Sequence, residues 1–125
     1  MILDTNALSA LADGAPALDA AIAEVETLGI PVIVLGEFRF GIARSRHRAR
    51  YQKWLEKLVD VSHILDVDQG TARRYADLRE VLRVRGRPIP SNDAWIAALA
   101  LQYELPVVSR DAHFDEVEGV RRVSW

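Results

Sequence analysis

Pro31-Val32-Ile33-Val34-Leu35 is apolar at every position rather than at alternate ones. A strand covered by helices on both faces of a parallel sheet reads this way, whereas a half-exposed antiparallel strand alternates. Three further segments read as strands of the same kind: Ile2-Leu3, Ser62 to Val67, and Pro106 to Ser109. Helical patterns separate them, so the chain is expected to be an α/β protein, with helices on both faces of a mostly parallel sheet.

The helical stretches carry their own punctuation. Asn6 to Ala12 is short and stops at Asp13-Gly14, while Pro16 opens a second helix expected to reach about Leu28 on the stripe Leu18, Ala21, Ile22, Val25. Gly36 to Ile42 starts another, with Glu37 in its first turn. Tyr51, Trp54, Leu55, Leu58 and Val59 mark an amphipathic helix after the connection Ser45 to Arg50. Asp68 is placed to cap a helix running to about Val84, lined inside by Tyr75, Leu78 and Leu82. Arg85 to Pro90 is rich in breakers. Ser91 is the natural N-cap of a helix Asn92 to Tyr103, apolar all round from Trp95 to Leu101 and therefore the central buried one. Asp111 to Phe114 forms one helical turn, and Val120 to Trp125 an edge strand.

At 125 residues, half of them hydrophobic, the chain reads as one domain, residues 1–125, able to bury a core without staples. It has no cysteine, which excludes disulfides and thiolate metal sites. His47, His63 and His113 are too scattered for a zinc site, so the ligands expected for any metal are oxygens. A strand at the very N-terminus and the lack of a long apolar run point to a cytoplasmic protein without a membrane span.

Four acids recur in one context. Asp4 follows Ile2-Leu3, Glu37 follows the Pro31 to Leu35 run, Asp111 follows Val107-Val108, and Asp93 opens the buried helix. Ligands of open α/β sheets bind in the crevice at the strands' carboxyl ends, so the topology gathers these acids on one edge. Singly, each has an ordinary role as a cap or a helix-dipole partner. Jointly they are costly: carboxylates about 5 Å apart repel by roughly 3 kcal/mol per pair at an effective dielectric of about 20. Over the whole cluster that is on the order of 10 to 20 kcal/mol, comparable with a domain's stability. No fold bears that unless the acids protonate, stay apart or bind a cation, and all-oxygen ligation fits Mg²⁺ or Mn²⁺, as one ion or two. Such ions serve phosphodiester hydrolysis.

Thr5, Asn6, Ser9, Asn92, Ser109 and Arg110 are placed to orient the carboxylates or meet phosphate, Arg110 foremost because a guanidinium can bond two oxygens at once. The net charge of −2 argues against a generic nucleic-acid coat protein. It conceals a basic segment, however, in which Arg39, Arg44, Arg46, Arg48 and Arg50 can track an RNA backbone; a solvated helix face is the ordinary alternative. Tyr51 and Trp54 lie on an apolar stripe and belong to the core. Phe38 and Phe40 are open to an interface role.

Met1-Ile2-Leu3-Asp4-Thr5-Asn6, Gly36-Glu37-Phe38-Arg39-Phe40-Gly41-Ile42, Ser91-Asn92-Asp93-Ala94-Trp95-Ile96-Ala97-Ala98-Leu99-Ala100 and Val107-Val108-Ser109-Arg110-Asp111-Ala112-His113-Phe114 together resemble the PIN-domain family. Within it they resemble the VapC-type ribonuclease toxins of prokaryotic toxin-antitoxin pairs. The resemblance implies a three-layer α/β/α sandwich on a sheet of four or five strands. It implies a Mg²⁺- or Mn²⁺-dependent endoribonuclease with Asp4, Glu37, Asp93 and Asp111 as its acidic cluster. Asp115 lies near enough to share or replace the role of Asp111. RNA as substrate, a homodimer and a VapB-like antitoxin that obstructs the site complete the expectation. The alternative is a non-catalytic PIN-like module that binds RNA or protein.

A haloacid-dehalogenase-type phosphatase needs a second acid two residues after the first, where this chain has Asn6. A receiver domain needs a lysine late in the sheet, and the only lysines are Lys53 and Lys57.

Overall fold

The computed structural model describes residues 1–125. Five short strands, β1 (Ile2–Leu3), β2 (Gly29–Pro31), β3 (His63–Leu65), β4 (Val107–Val108) and β5 (Arg122–Val123), form one sheet in the order β3-β2-β1-β4-β5. All four pairings are parallel. Ile2 and Leu3 at the centre are fully buried, as are Val107 and Val108 beside them, which accounts for the unbroken apolar runs. Gly29 sits tightly between its neighbours: a Cβ there would stand 3.2 Å from Leu65 Cδ1 on β3 and 3.4 Å from the Met1 carbonyl oxygen beside β1.

Six helices clothe the sheet. The chain steps from β1 to β2 to β3 in one direction, through α1 (Thr5–Ala12) and α2 (Pro16–Ile22), then α3 (Val32–Ile42) and α4 (Arg48–Asp60). It then returns through α5 (Gln69–Val84) and α6 (Ser91–Tyr103) to lay β4 on the far side of β1. Parallel crossovers are right-handed, so reversing direction changes the face that is covered. Accordingly α1 packs with α2, α3 and α4, and α5 packs along α6. The result is the expected α/β/α sandwich. Its core holds Leu8, Leu18, Val34, Phe38, Leu55, Ile96, Leu99 and Phe114, each fully buried aliphatic or aromatic side chain contributing about 1.5–3 kcal/mol.

Several local features differ from the sequence reading. The run Pro31 to Leu35 is not a strand: β2 ends at Pro31, and Val32 is already helical. Burial at Val34, Phe38 and Ile42 repeats every four residues, and this packing overrides the strand preference of β-branched residues. Glu37 therefore lies in the middle of α3 rather than in a first turn directly after a strand. α2 stops at Ile22, not Leu28; Glu24 and Glu26 just beyond it are acids at the negative end of a helix dipole. Ser91 does not cap α6. Pro90 holds the cap position, Ser91 is the first helical residue, and no side chain bonds the exposed amides. The strands at His63–Leu65, Val107–Val108 and Arg122–Val123 are shorter than the segments read for them.

Other features agree. Asp68 and Thr71 form a reciprocal capping box at the start of α5. α6 is buried from Ile96 to Ala100. Phe38 is 4% exposed, packed on the Tyr51 and Trp54 rings, whereas Phe40 is 83% exposed. No helix is long and apolar enough to cross a membrane.

Candidate active site

The strand order reverses between β1 and β4, since β1 leads on to β2 while β4 is reached from the opposite side. A crevice opens at the carboxyl ends of such a pair. Asp4 leaves β1 there and Ser109 leaves β4, and the Ser109 hydroxyl donates a hydrogen bond to Asp4 Oδ2 across the gap. Asp4 is also the N-cap of α1, its Oδ1 accepting the Ala7 amide at 2.7 Å. The ordinary capping role and a place at the crevice thus fall on one carboxylate, held at both oxygens and only 4% exposed.

From Ser109 the arrangement passes to the turn after β4. Ser109 Oγ accepts the Asp111 amide at 2.8 Å, and Asp111 Oδ1 accepts the His113 amide at 2.9 Å, capping the 3₁₀ turn Ala112–Glu116. His113 then turns its ring inward. Its Nδ1 lies 2.8 Å from Asp93 Oδ2 and 2.9 Å from Asp111 Oδ1, tying the first turn of α6 to the 3₁₀ turn. Asp93, Asp111 and His113 present ligand atoms all within 4.8 Å of one another, a span that one cation can bridge. Glu37 approaches from α3, where its Oε1 accepts the Thr5 hydroxyl at 3.0 Å.

The acids feel one another. Burial pushes the Asp4 carboxyl above the usual aspartate range; the Ser109 hydroxyl and Ala7 amide pull it back, and the charges of Asp93 and Asp111 push it up further. Burial also raises Asp93, opposed by the His113 hydrogen bond, with Asp111 and Glu37 adding repulsion. The hydrogen bond to Asp93 leads in raising His113 above its ordinary value.

The remaining predicted residues divide. Thr5 and Ser109 touch the acids directly. Asn6 and Asn92 are exposed near the starts of α1 and α6. Ser9 lines a groove of about 350 Å³ between α1, α3 and α4, together with Thr5, Glu37, Ser45 and Tyr51. Arg110 gives its Nε to the Trp125 carbonyl at 3.0 Å and lays its guanidinium over the Trp125 ring, so it is engaged away from the acids. Asp115 is held by Arg122 at 2.9 and 2.7 Å, and that hydrogen-bonded pairing keeps its carboxyl below the usual range. Its partner is a guanidinium, whereas Asp111 faces Asp93 and His113.

Arg39, Arg44, Arg46, Arg48 and Arg50 are all exposed. Arg44 to Arg50 occupy the corner between α3 and α4, and the groove that begins at Thr5 and Glu37 reaches this corner at Ser45 and Tyr51. In the sequence His113 stands too close to Asp111 to ignore, but a lone histidine is a weak signal; the structure sets its ring against both Asp93 and Asp111.

The PIN domain family profile matches residues 1–120. The chain is 34% identical to the ribonuclease VapC5 of Mycobacterium tuberculosis over 98% of its own length and 90% of the relative's. In fold it matches a crystal structure of VapBC-5, a member of the VapBC family of toxin-antitoxin systems from the same organism. There the TM-score is 0.78 at 32% identity, covering 99% of this chain and 97% of the other. A DNA-bound VapBC structure from Salmonella typhimurium superposes with a TM-score of 0.87 at 25% identity, covering 99% and 96%. The chain belongs to the PIN domain family, among its VapC-type members.

Proposed function

We propose that this protein is a divalent-metal-dependent endoribonuclease, the toxin of a toxin-antitoxin pair, which cuts RNA at the crevice where Asp4, Asp93 and Asp111 meet and Glu37 faces them. The observation that supports this reading is that Asp93 and Asp111 come within ligand distance at the strand-switch crevice, that their charges reach Asp4, and that the charge of Glu37 reaches Asp93. Asp4 and Asp93 hold carboxyls raised by burial and by the charges of neighbouring acids, a state that a cation relieves.

The donors fit Mg²⁺ or Mn²⁺, one ion or two: carboxylate oxygens, a half-buried setting and no thiolate. When bound, a divalent ion supplies neutralisation of the charge that builds on the phosphodiester oxygens and eases the deprotonation of water. Asp4, Asp93 and Asp111 would hold it. Asp4 is fixed by the Ala7 amide and the Ser109 hydroxyl, so it keeps one geometry through the reaction. Glu37 is steadied at Oε1 by Thr5, and no hydrogen bond within the chain reaches Oε2, which is left to orient the attacking water and accept its proton. The arginine corner at the end of the groove offers fixed positive charge to the RNA backbone on either side of the cut.

The same reading brings a VapB-like antitoxin, which covers the crevice, a homodimeric toxin, and action in the cytoplasm, where the RNA lies. Its test is cleavage of total RNA by the purified chain with Mn²⁺ or Mg²⁺, beside Asp93→Asn. Cleavage at defined sites that stops with chelator and is absent from the variant is expected. RNA left intact by a folded, metal-loaded wild type would leave a binding module without catalysis.

A further inference from the structure

His113 is absent from the four-acid description, yet its ring touches two of the four carboxylates. Its Nδ1 is 2.8 Å from an oxygen of Asp93 and 2.9 Å from an oxygen of Asp111, carboxylates on two different elements. Neighbouring donors around an octahedral ion with ligands at about 2.1 Å stand about 3 Å apart. Both nitrogen–oxygen edges therefore have the spacing of neighbouring ligands as well as that of hydrogen bonds, and the ligand atoms of the three residues all lie within 4.8 Å of one another. The backbone aims the ring there: the His113 amide is fixed on Asp111 Oδ1 at 2.9 Å in the first residues of the 3₁₀ turn. The side chain is 45% exposed, so with a cation bound Nε2 can carry the ring proton while Nδ1 gives its lone pair to the ion in place of the hydrogen bonds it donates to the carboxylates.

The geometry points to His113 Nδ1 as a nitrogen ligand beside Asp93 and Asp111, which makes this a site that prefers Mn²⁺ to Mg²⁺. The inference rests on the divalent-cation reading of the cluster and adds its selectivity. Mg²⁺ is a hard ion that takes oxygen and keeps its water, whereas imidazole suits the first-row transition ions. An all-carboxylate cluster lacks that discrimination. One imidazole in the donor set supplies it.

The test uses the full chain titrated with Mn²⁺ and with Mg²⁺ by calorimetry, and pulsed electron paramagnetic resonance of the Mn²⁺ form. The comparison is with His113→Gln, whose amide can still donate a hydrogen bond to the carboxylates but offers no imidazole nitrogen. Thermal melts establish that the variant is folded, and His113→Asn serves if it is not. The wild type is expected to show ¹⁴N coupling to Mn²⁺ that the variant lacks. The variant's Mn²⁺ affinity should fall by about tenfold or more while its Mg²⁺ affinity stays near the wild-type value. Mn²⁺ bound without ¹⁴N coupling, with an unchanged Mn²⁺ to Mg²⁺ ratio in the variant, would make His113 a hydrogen-bonded strut and overturn the inference while leaving the metal site intact. A wild type that binds neither ion would remove the inference together with the metal reading beneath it.

Discussion

Replacing Asp4 by asparagine should make the metal-free protein more stable, against the usual outcome of altering a buried, doubly hydrogen-bonded residue. The side chain is 4% exposed, and both its burial and the charges of Asp93 and Asp111 disfavour its ionised form. A like charge at the separation of adjoining carboxylates costs on the order of 2 kcal/mol at an effective dielectric of about 20. Removing the Asp4 charge relieves two such repulsions. Against this, asparagine keeps an acceptor for the Ala7 amide but presents an amide to Ser109 Oγ, which already accepts the Asp111 amide. The Ser109 hydroxyl hydrogen then loses its acceptor, a loss of about 1–3 kcal/mol. The net expectation is a gain of about 1–3 kcal/mol, or roughly 4–12 °C in Tm at this chain length.

The pH dependence fixes the cause. A carboxyl whose pKa is raised on folding favours the folded state below its unfolded value, about 4, and loses that contribution as pH rises through the folded value. The advantage of Asp4→Asn should therefore be full at pH 8 and give way to the hydrogen-bond deficit as pH falls to about 3–4. Chelator-treated samples melted by circular dichroism across that range supply the assay. Millimolar Mn²⁺ should reverse the order by stabilising the wild type alone. A variant less stable than wild type at pH 8 without metal, or an advantage that ignores pH, would refute the reasoning.

Further predictions concern the fourth acid and the basic corner. Asp111→Asn should lower RNA cleavage at least about 100-fold, whereas Asp115→Asn, which removes only the pairing with Arg122, should stay within about threefold of wild type; single-turnover rates separate them. Converting Arg44, Arg46, Arg48 and Arg50 to glutamine should weaken binding of an uncleaved RNA by catalytically silent Asp93→Asn and make its log–log salt slope shallower by roughly 2 to 3. An unchanged slope in filter binding would return that corner to a solvated face.

The sheet, its parallel character and the meeting of Asp93 with Asp111 were legible because each rests on a pattern longer than one residue: apolar runs, helical stripes, and acids placed against both. Boundaries were not. Val32-Ile33-Val34 has strand composition, and only the four-residue spacing from Val34 to Phe38 to Ile42, visible once the sheet is in place, makes it helix. Glu37 nonetheless reaches the crevice, because α3 brings it beside Thr5 at the start of α1. Ser91 and Arg110 show the limit of residue-type reasoning. A good cap is idle when Pro90 holds the cap position, and a good phosphate ligand is diverted when a tryptophan ring and a carbonyl stand nearer. His113 carried little weight for the opposite reason: its contact with Asp93, 20 residues away in sequence, is encoded in no local pattern.

The most direct test of the account is anomalous diffraction from crystals of the wild type grown with Mn²⁺. The account predicts a peak in the crevice within bonding distance of Asp93 and Asp111, with Asp4 adjoining and Glu37 across from it. A metal-saturated crystal with no peak there, or with Mn²⁺ bound only at surface acids elsewhere, would contradict it.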